Sequence, residues 1–400
     1  MFLAHLPGGA HLTYCTNIHA GETWPEIRAS LGAHLPKIRS LVAGGGMMGV
    51  GLRLSGIAAD ALLAADTLEE FSAFLARERL YVFTINAFPY GPFHGTRVKE
   101  EVYQPDWVSP VRLAFTNTCA DILATLLPDG VFGSISTVPG TFKPLAQRPG
   151  VAQTIAELLI RHAAHLVKIE RGTGKHIALA IEPEPYCFLE TADEAVAFFE
   201  RALFARASIG RLSTLTGLNA AQAEEEIRRH LGICYDVCHG AVEFEAPVAA
   251  MRRIASAGIL IPKIQLSAAM RIVAIDHELI RKLARFDQGT YLHQVVVRNG
   301  GGLERFLDLG EAFQAFDAGR ARGEWRVHCH VPIFLPDGPG LGSTQPDLKE
   351  TLAALKRTAI APHLEVETYT WDVLPKHLQF GSKIHAIVRE LGFVRKELAR

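Results

Sequence analysis

Carboxylates and imidazoles recur at the ends of apolar, strand-like runs of this chain. IALAIEPEP ends in Glu182 and Glu184, and GICYDVCHG ends in Asp236 and His239. A following run carries Lys263 and Gln265, RVHCHVPIF carries His328 and His330, and LEVETYTW carries Glu365 and Glu367. Nearer the N-terminus, one run ends Thr16-Asn17-Ile18-His19, and another ends at Asn86 and continues through Phe88, Tyr90, Phe93 and His94. A buried, unpaired charge costs several kcal/mol, so acids embedded in apolar strands need a partner. A divalent cation satisfies several at once, because carboxylate oxygens and neutral imidazoles are its common ligands. Strand alternation places Glu182 with Glu184, Glu365 with Glu367 and His328 with His330 on shared faces. Asp236-x-x-His239 suits a strand-end turn whose two side chains converge on one ion.

Each residue also has an ordinary reading by itself. A lone Glu at a strand end serves as an N-cap or ion-pair partner, and a loop His such as His19 or His94 need touch nothing. The x₃ spacing of Cys234 and Cys238 reads as packing among apolar neighbours rather than as a zinc site. The joint order carries the weight: Glu, Asp-x-x-His, Gln, His-x-His and Glu on successive strands.

These side chains need a frame that brings strand ends together. Strands are expected at 11–18, 50–55, 81–87, 131–137, 175–181, 232–236, 262–267, 326–334 and 364–370, most of them near-continuous apolar runs as in parallel sheets covered on both faces. Helices are expected at 23–31, 67–79, 107–126, 151–172, 191–204 and 347–358, with Thr67 and Thr191 each placed as an N-cap three residues before an acid. Alternating strands and helices in this number predict an α/β fold, a (β/α)8 TIM barrel, with chemistry at the C-terminal strand ends. The cluster Gly44-Gly45-Gly46-Met-Met-Gly49 precedes a strand instead of following the first one, so it reads as a turn and not as a dinucleotide-binding loop.

The chain has 400 residues, 48% of them hydrophobic and 21% charged, so it can bury a large core. One barrel over 1–400 with insertions near 204–229 and 276–323 accounts for the length. Lys plus Arg number 41 against 42 Asp plus Glu, a net charge of -1. That balance lacks the basic footprint of a nucleic-acid binder. No basic apolar leader and no apolar run of about 18 residues is evident, so no direct membrane insertion is expected. Six cysteines in 400 residues are too sparse for a disulfide scaffold, and a cytoplasmic location is expected.

The strand-end order resembles the xylose-isomerase-like TIM-barrel superfamily of sugar isomerases, sugar epimerases and endonuclease IV type repair enzymes. The resemblance implies metal ligands at Glu182, Asp236, Gln265 and Glu367, with Glu182 and Glu367 as the proton-transferring pair. Gln265 stands where the superfamily has His, which suits Mg or Mn better than Zn. His330 is the alternative to Gln265, and Glu365 the alternative to Glu367. More specifically, LTYCTNIHAGETW, NAFPYGPFHG, VKEEVYQPDW, EPEPYCFLET, YDVCHGAVEFE, HCHVPIF and LEVETYTW together resemble the metabolite traffic protein EboE family. That likeness implies a role in making or modifying a secondary-metabolite precursor, without supplying a reaction.

Three functions are compatible with these residues. The first is an isomerase or epimerase with one divalent ion (Mn, Mg, Co or Zn) acting on a sugar-like or polyol-like metabolite. Glu182 and Glu367 are then acid and base, and His19, Asn86, Tyr90, His94, His239, His328 and Trp371 surround the substrate, with Lys99, Lys143 or Arg271 available for an anionic group. The second is a multi-zinc hydrolase using His19, His94, His239, His328 and His330. The third is a non-catalytic metabolite-binding protein. The expected partner is a small molecule, with a homo-oligomer compatible with barrels of this kind.

Overall fold

The computed structural model describes residues 1–94, 97–287, 289–372 and 381–399. Eight parallel strands form the frame: β1 (Ala10–Tyr14), β2 (Met48–Arg53), β3 (Leu80–Asn86), β4 (Gly133–Thr137), β5 (Ile177–Ile181), β6 (Leu231–Asp236), β7 (Leu260–Leu266) and β8 (His363–Val366). They pair in the order β1-β8-β7-β6-β5-β4-β3-β2, and an antiparallel stub, Phe2–Leu3, adds to β1. Nearly every residue of the eight is buried, the state their continuous apolar runs demand.

Threonine hydroxyls close the ring between β1 and β2. The backbones meet in a single parallel bridge, Cys15 to Gly51. Thr13 Oγ1 donates to the Gly49 carbonyl at 2.8 Å and accepts from the Gly51 amide at 3.1 Å. Three residues on, Thr16 Oγ1 accepts from the Arg53 amide at 2.9 Å. Gly51 is required here, since a Cβ would lie 1.9 Å from Glu365 Oε1.

The barrel interior is unusually polar. Thr84, Ser134, Ser136, Cys234, Lys263, Gln265 and Glu365 are all buried, where barrels usually pack branched apolar side chains. Lys263 Nζ lies 2.5 Å from Glu365 Oε2 with both side chains fully enclosed. It also donates to Ser136 Oγ at 3.2 Å. Burial alone would lower the Lys263 pKa, but the Glu365 carboxylate raises it above its ordinary value.

Several expected bounds shift. The first helix runs Trp24–Ala43, past the expected Leu31 and through Pro36, because the buried stripe of Ile27, Leu31, Leu35, Ile38 and Val42 continues along one face. Thr67 lies inside the helix Ala65–Arg77 rather than capping it, while Thr191 caps as expected. The expected insertion near 204–229 is a pair of helices, Arg206–Thr216 and Ala220–His230, between β5 and β6.

The largest correction concerns the strand expected at 326–334. Its ordered part, Glu324–Val327, pairs antiparallel with Val295–Asn299 and Met270–Ile272, and so belongs to a second sheet outside the barrel. That five-stranded antiparallel sheet, completed by Gly302–Phe306 and Gly342–Ser343, is inserted between β7 and β8. The surplus segment therefore spans 270–343 rather than 276–323. Its apolar strands mimic a barrel strand in composition, and Val295, Val296 and Val297 are buried on both faces of theirs.

The C-terminal helix Lys383–Ala399 ties this insertion to the barrel. Buried Glu390 accepts from the Ile333 amide at 3.1 Å and from Thr368 Oγ1 at 2.7 Å. Burial pushes its carboxyl up to about 7 against the opposing pull of those two bonds.

Two stability predictions follow from these buried groups. Lys263→Met should destabilise the chain by about 3–5 kcal/mol by stranding the Glu365 charge, and adding Glu365→Leu should restore most of it in urea unfolding. For Glu390 the folded carboxyl binds its proton more tightly than the unfolded one. Its contribution is therefore fully present below the ordinary carboxylate value of 4.5 and is lost as pH rises through about 7. Glu390→Gln should match the parent in acid and exceed it in mild base by up to about 3 kcal/mol. Equal stabilities of the two proteins on both sides of that window would contradict this.

Candidate metal and substrate site

At the C-terminal mouth lies a cavity whose lining includes Asn17, Asn86, Glu182, Glu184, His239 and Glu367 from the barrel ends. The inserted sheet and its flanks add Tyr291, Leu292, Gln294 and His328. Phe93, Tyr291 and Tyr369 pack about one another with ring centroids 5.3 Å apart and form an aromatic wall.

Three imidazoles converge beside this cavity, and their tautomers can be read from their partners. His239 follows Asp236 in the helix Val237–Val242, and its Nδ1 donates to the Pro183 carbonyl at 2.9 Å. His330 Nδ1 donates to the Glu367 carbonyl at 2.9 Å. His328 Nδ1 lies 2.8 Å from Gln294 Oε1, and Gln294 Nε2 points to the Pro185 carbonyl at 3.3 Å, which fixes the amide orientation. A carbonyl oxygen only accepts, so each Nδ1 carries the proton and each Nε2 presents a lone pair. The Nε2 atoms of His239 and His328 stand 3.1 Å apart, and His330 Nε2 has no hydrogen-bond partner among the described residues. Two facing lone pairs at that distance repel unless a cation lies with them.

Acidic groups complete the donor set. Asp236 Oδ1 accepts from Ser267 Oγ at 2.7 Å and from the His239 amide at 3.0 Å, leaving Oδ2 without a partner. Donor atoms of Asp236, His239 and His330 lie within 4.8 Å of one another, as do those of Glu184, His239 and His328, and of Cys238, His328 and His330. Burial opposes ionisation of Asp236, but the neighbouring His239 and His330, with the Ser267 and amide hydrogen bonds, hold its carboxyl below the usual range. Burial lowers His239 to about 4, and burial with the neighbouring imidazoles lowers His328 well below its ordinary value, so both rings are neutral at physiological pH. Neutral rings with anchored Nδ1–H groups beside an ionised, half-satisfied carboxylate fit a divalent cation.

The two glutamates face the cavity from β5 and β8. Glu182 Oε2 has no hydrogen-bond partner among the described residues, and Oε1 lies 3.7 Å from His239 Nδ1. Glu367 Oε1 accepts from Asn17 Nδ2 at 2.7 Å and from Asn86 Nδ2 at 3.1 Å. Burial, then the charges of neighbouring carboxylates, raises the pKa of both.

The expected site residues divide into three groups. Glu182, Glu367, Asn86, His239 and His328 line the cavity, and Asp236 and His330 lie against it in the donor groups. Gln265 sits one layer below, its Oε1 accepting from Cys234 Sγ at 3.2 Å, and it is absent from the cavity lining. Glu365 is the partner of Lys263, not a cavity residue. His19 bonds Tyr14 OH at 2.9 Å and stacks on His34, and Tyr90 packs on Phe115 beside a separate surface groove. His94 contacts Phe93, and Trp371 is buried after β8; neither lines the cavity. Of the three cations considered, Lys99 lines the cavity but is paired with Asp308 at 2.6 Å. Lys143 is tied to Glu190, and Arg271 to Glu324 and Asp337.

Sequence reasoning missed Tyr103 and Gln294. Tyr103 OH donates to Glu184 Oε1 at 2.7 Å and accepts from Gln294 Nε2 at 2.9 Å, so a chain of bonds runs from Glu184 to His328. Glu184 is pushed up to about 8, chiefly by burial. Neither residue sits at a barrel strand end, the only place where a search by strand order looks.

No family model and no curated protein matches the chain. Among solved structures it is similar to a xylose isomerase-like TIM barrel protein from Mycobacterium smegmatis in complex with magnesium. That likeness has 12% identity and a TM-score of 0.51, over 100% of this chain and 98% of that one. It is also similar to an L-ribulose 3-epimerase, with 12% identity and a TM-score of 0.49 over 98% and 95% of the two chains. An IolI protein with a binding zinc atom gives 13% identity and a TM-score of 0.47, over 97% and 98%. The fold is that of the xylose-isomerase-like TIM barrels.

The tether on His328 is open to a direct test. Gln294→Leu, which removes the acceptor of His328 Nδ1, should weaken divalent-metal affinity about 10- to 100-fold in chelator competition. Gln294→Glu, which keeps an acceptor there, should retain most of it. Equal affinities of the leucine variant and the parent would contradict the role of this bond.

Proposed function

We propose that the protein is a metal-dependent isomerase or epimerase acting on a small sugar-like or polyol-like metabolite. The observation that carries this reading is the arrangement of Glu182 and Glu367, two buried carboxyls facing one cavity beside three anchored imidazoles. His239, His328, His330 and Asp236 would hold the cation, with Glu182 and Glu367 lining the same cavity. A cation bound there supplies Lewis-acid polarisation of a substrate carbonyl and charge stabilisation in a water-poor site.

The chain's own residues perform the proton work. Glu182, with one oxygen unpartnered, takes a proton from the carbon next to the carbonyl. Glu367, held by Asn17 and Asn86, returns one from the other side, and burial raises both carboxyls above the ordinary carboxylate value. His239 and Asn86 present polar groups to substrate hydroxyls, and the wall of Phe93, Tyr291 and Tyr369 excludes water. Resemblance to the metabolite traffic protein EboE family supports placing this step in the making or modification of an exported secondary metabolite.

A second reading has a specific observation in its favour. The donor groups extend from Asp236 through His239 to Glu184 and His328, enough for more than one ion. Two or more tightly bound zinc ions would support water activation and hydrolysis in place of isomerisation.

Proton exchange separates these readings. In heavy water, NMR across a panel of ketoses and hydroxy-ketones should show deuterium entering the carbon beside the carbonyl of the true substrate. Glu182→Gln and Glu367→Gln should each slow that exchange by about 10²–10⁴-fold while the chain stays folded. Bond hydrolysis with two or three zinc ions per chain, and no exchange, would favour the hydrolase. Ligand binding unaffected by either variant, with no turnover in the parent, would leave a carrier.

A further inference from the structure

The end of the barrel opposite the cavity holds a second set of donors. His230, the last residue of the helix Ala220–His230, is fully buried, and its Nδ1 donates to the Ile177 carbonyl at 2.7 Å. Because that carbonyl only accepts, Nδ1 carries the proton and Nε2 presents a lone pair. That nitrogen faces Glu170 Oε2 at 3.1 Å and Glu226 Oε2 at 3.2 Å. It is aimed between the two carboxylates, and a lone pair flanked by two anions calls for a cation.

A second imidazole joins the set. His176 precedes β5, and its Nε2 donates to the Arg229 carbonyl at 3.2 Å, which leaves Nδ1 free of a proton. Donor atoms of Glu170, His176 and His230 lie within 4.8 Å of one another. Glu226 and His230 stand one turn apart on their helix and so share a face. Arg229 donates to Glu170 Oε1 at 2.6 Å and to Glu226 Oε2 at 2.8 Å, orienting both carboxylates.

We infer that Glu170, His176, Glu226 and His230 form a structural site for a divalent transition-metal ion of the zinc type. Two imidazoles with two carboxylates select zinc or cobalt over magnesium or calcium. Four protein donors leave no open position, so the site is structural. It fastens the inserted helix Ala220–His230 to the helix Val151–Thr173 and to the lead-in of β5. It shares no residue with the cavity and stands whether or not the isomerase reading holds.

The test uses the full chain and zinc alone. Zinc per chain is counted after equilibrium dialysis at neutral pH, in the parent and in His328→Ala, which disables the cavity site. Glu226→Gln and Glu170→Gln, both at partly exposed positions that tolerate substitution, should each lower the count by one in either background and remove part of the zinc-dependent rise in Tm. An unchanged count in both glutamine variants overturns the site. So does nitrogen NMR of the zinc-loaded chain showing protons on both nitrogens of His230, because an imidazolium clamped between two carboxylates explains the same contacts.

Discussion

The pair of Nε2 lone pairs held 3.1 Å apart on His239 and His328 is the constraint around which the mouth of this barrel is built. Left alone, that contact is repulsive. It persists because each ring is anchored through Nδ1 to a group that can only accept, the Pro183 carbonyl for one and the Gln294 amide oxygen for the other. His330 is anchored in the same manner to the carbonyl of Glu367. Three rings turned inward by three separate tethers, from the barrel and from the inserted sheet, amount to a preorganised ligand set. Burial keeps His239 and His328 neutral, the form a metal requires.

The inserted antiparallel sheet becomes intelligible in this light. Gln294 lies just before its Val295–Asn299 strand, and His328 and His330 lie just past its Glu324–Val327 strand. Glu390 of the C-terminal helix then joins the segment after His330 to the residue after Glu367. The site thus straddles two sheets, and its geometry depends on how they are fastened. Beneath it, the Lys263–Glu365 pair fills the barrel with polar side chains where apolar layers are usual.

Much of the frame was legible in the sequence because parallel strands buried on both faces announce themselves as continuous apolar runs. The polar strand ends at Glu182, Asp236 and Glu367 were legible for the same reason, standing out against such runs. The register of 326–334 was not, since an apolar strand of an antiparallel insertion has the same composition as a barrel strand. Gln265, expected as a ligand, and Glu365, the alternative to Glu367, lie away from the cavity. Alternation says which face a side chain takes but not how deep in the barrel it lies, and both sit a layer below the cavity. Tyr103 and Gln294 lie at no barrel strand end, and only three-dimensional contact joins them to His328.

The central claim is that the three tethered imidazoles hold a divalent cation. Anomalous diffraction at a transition-metal edge, from crystals of protein purified without chelator or metal-affinity resin, tests it most directly. The account predicts a peak bonded to the Nε2 atoms of His239, His328 and His330 and to Asp236. A map with no peak there, from crystals grown in excess zinc or manganese, would contradict it.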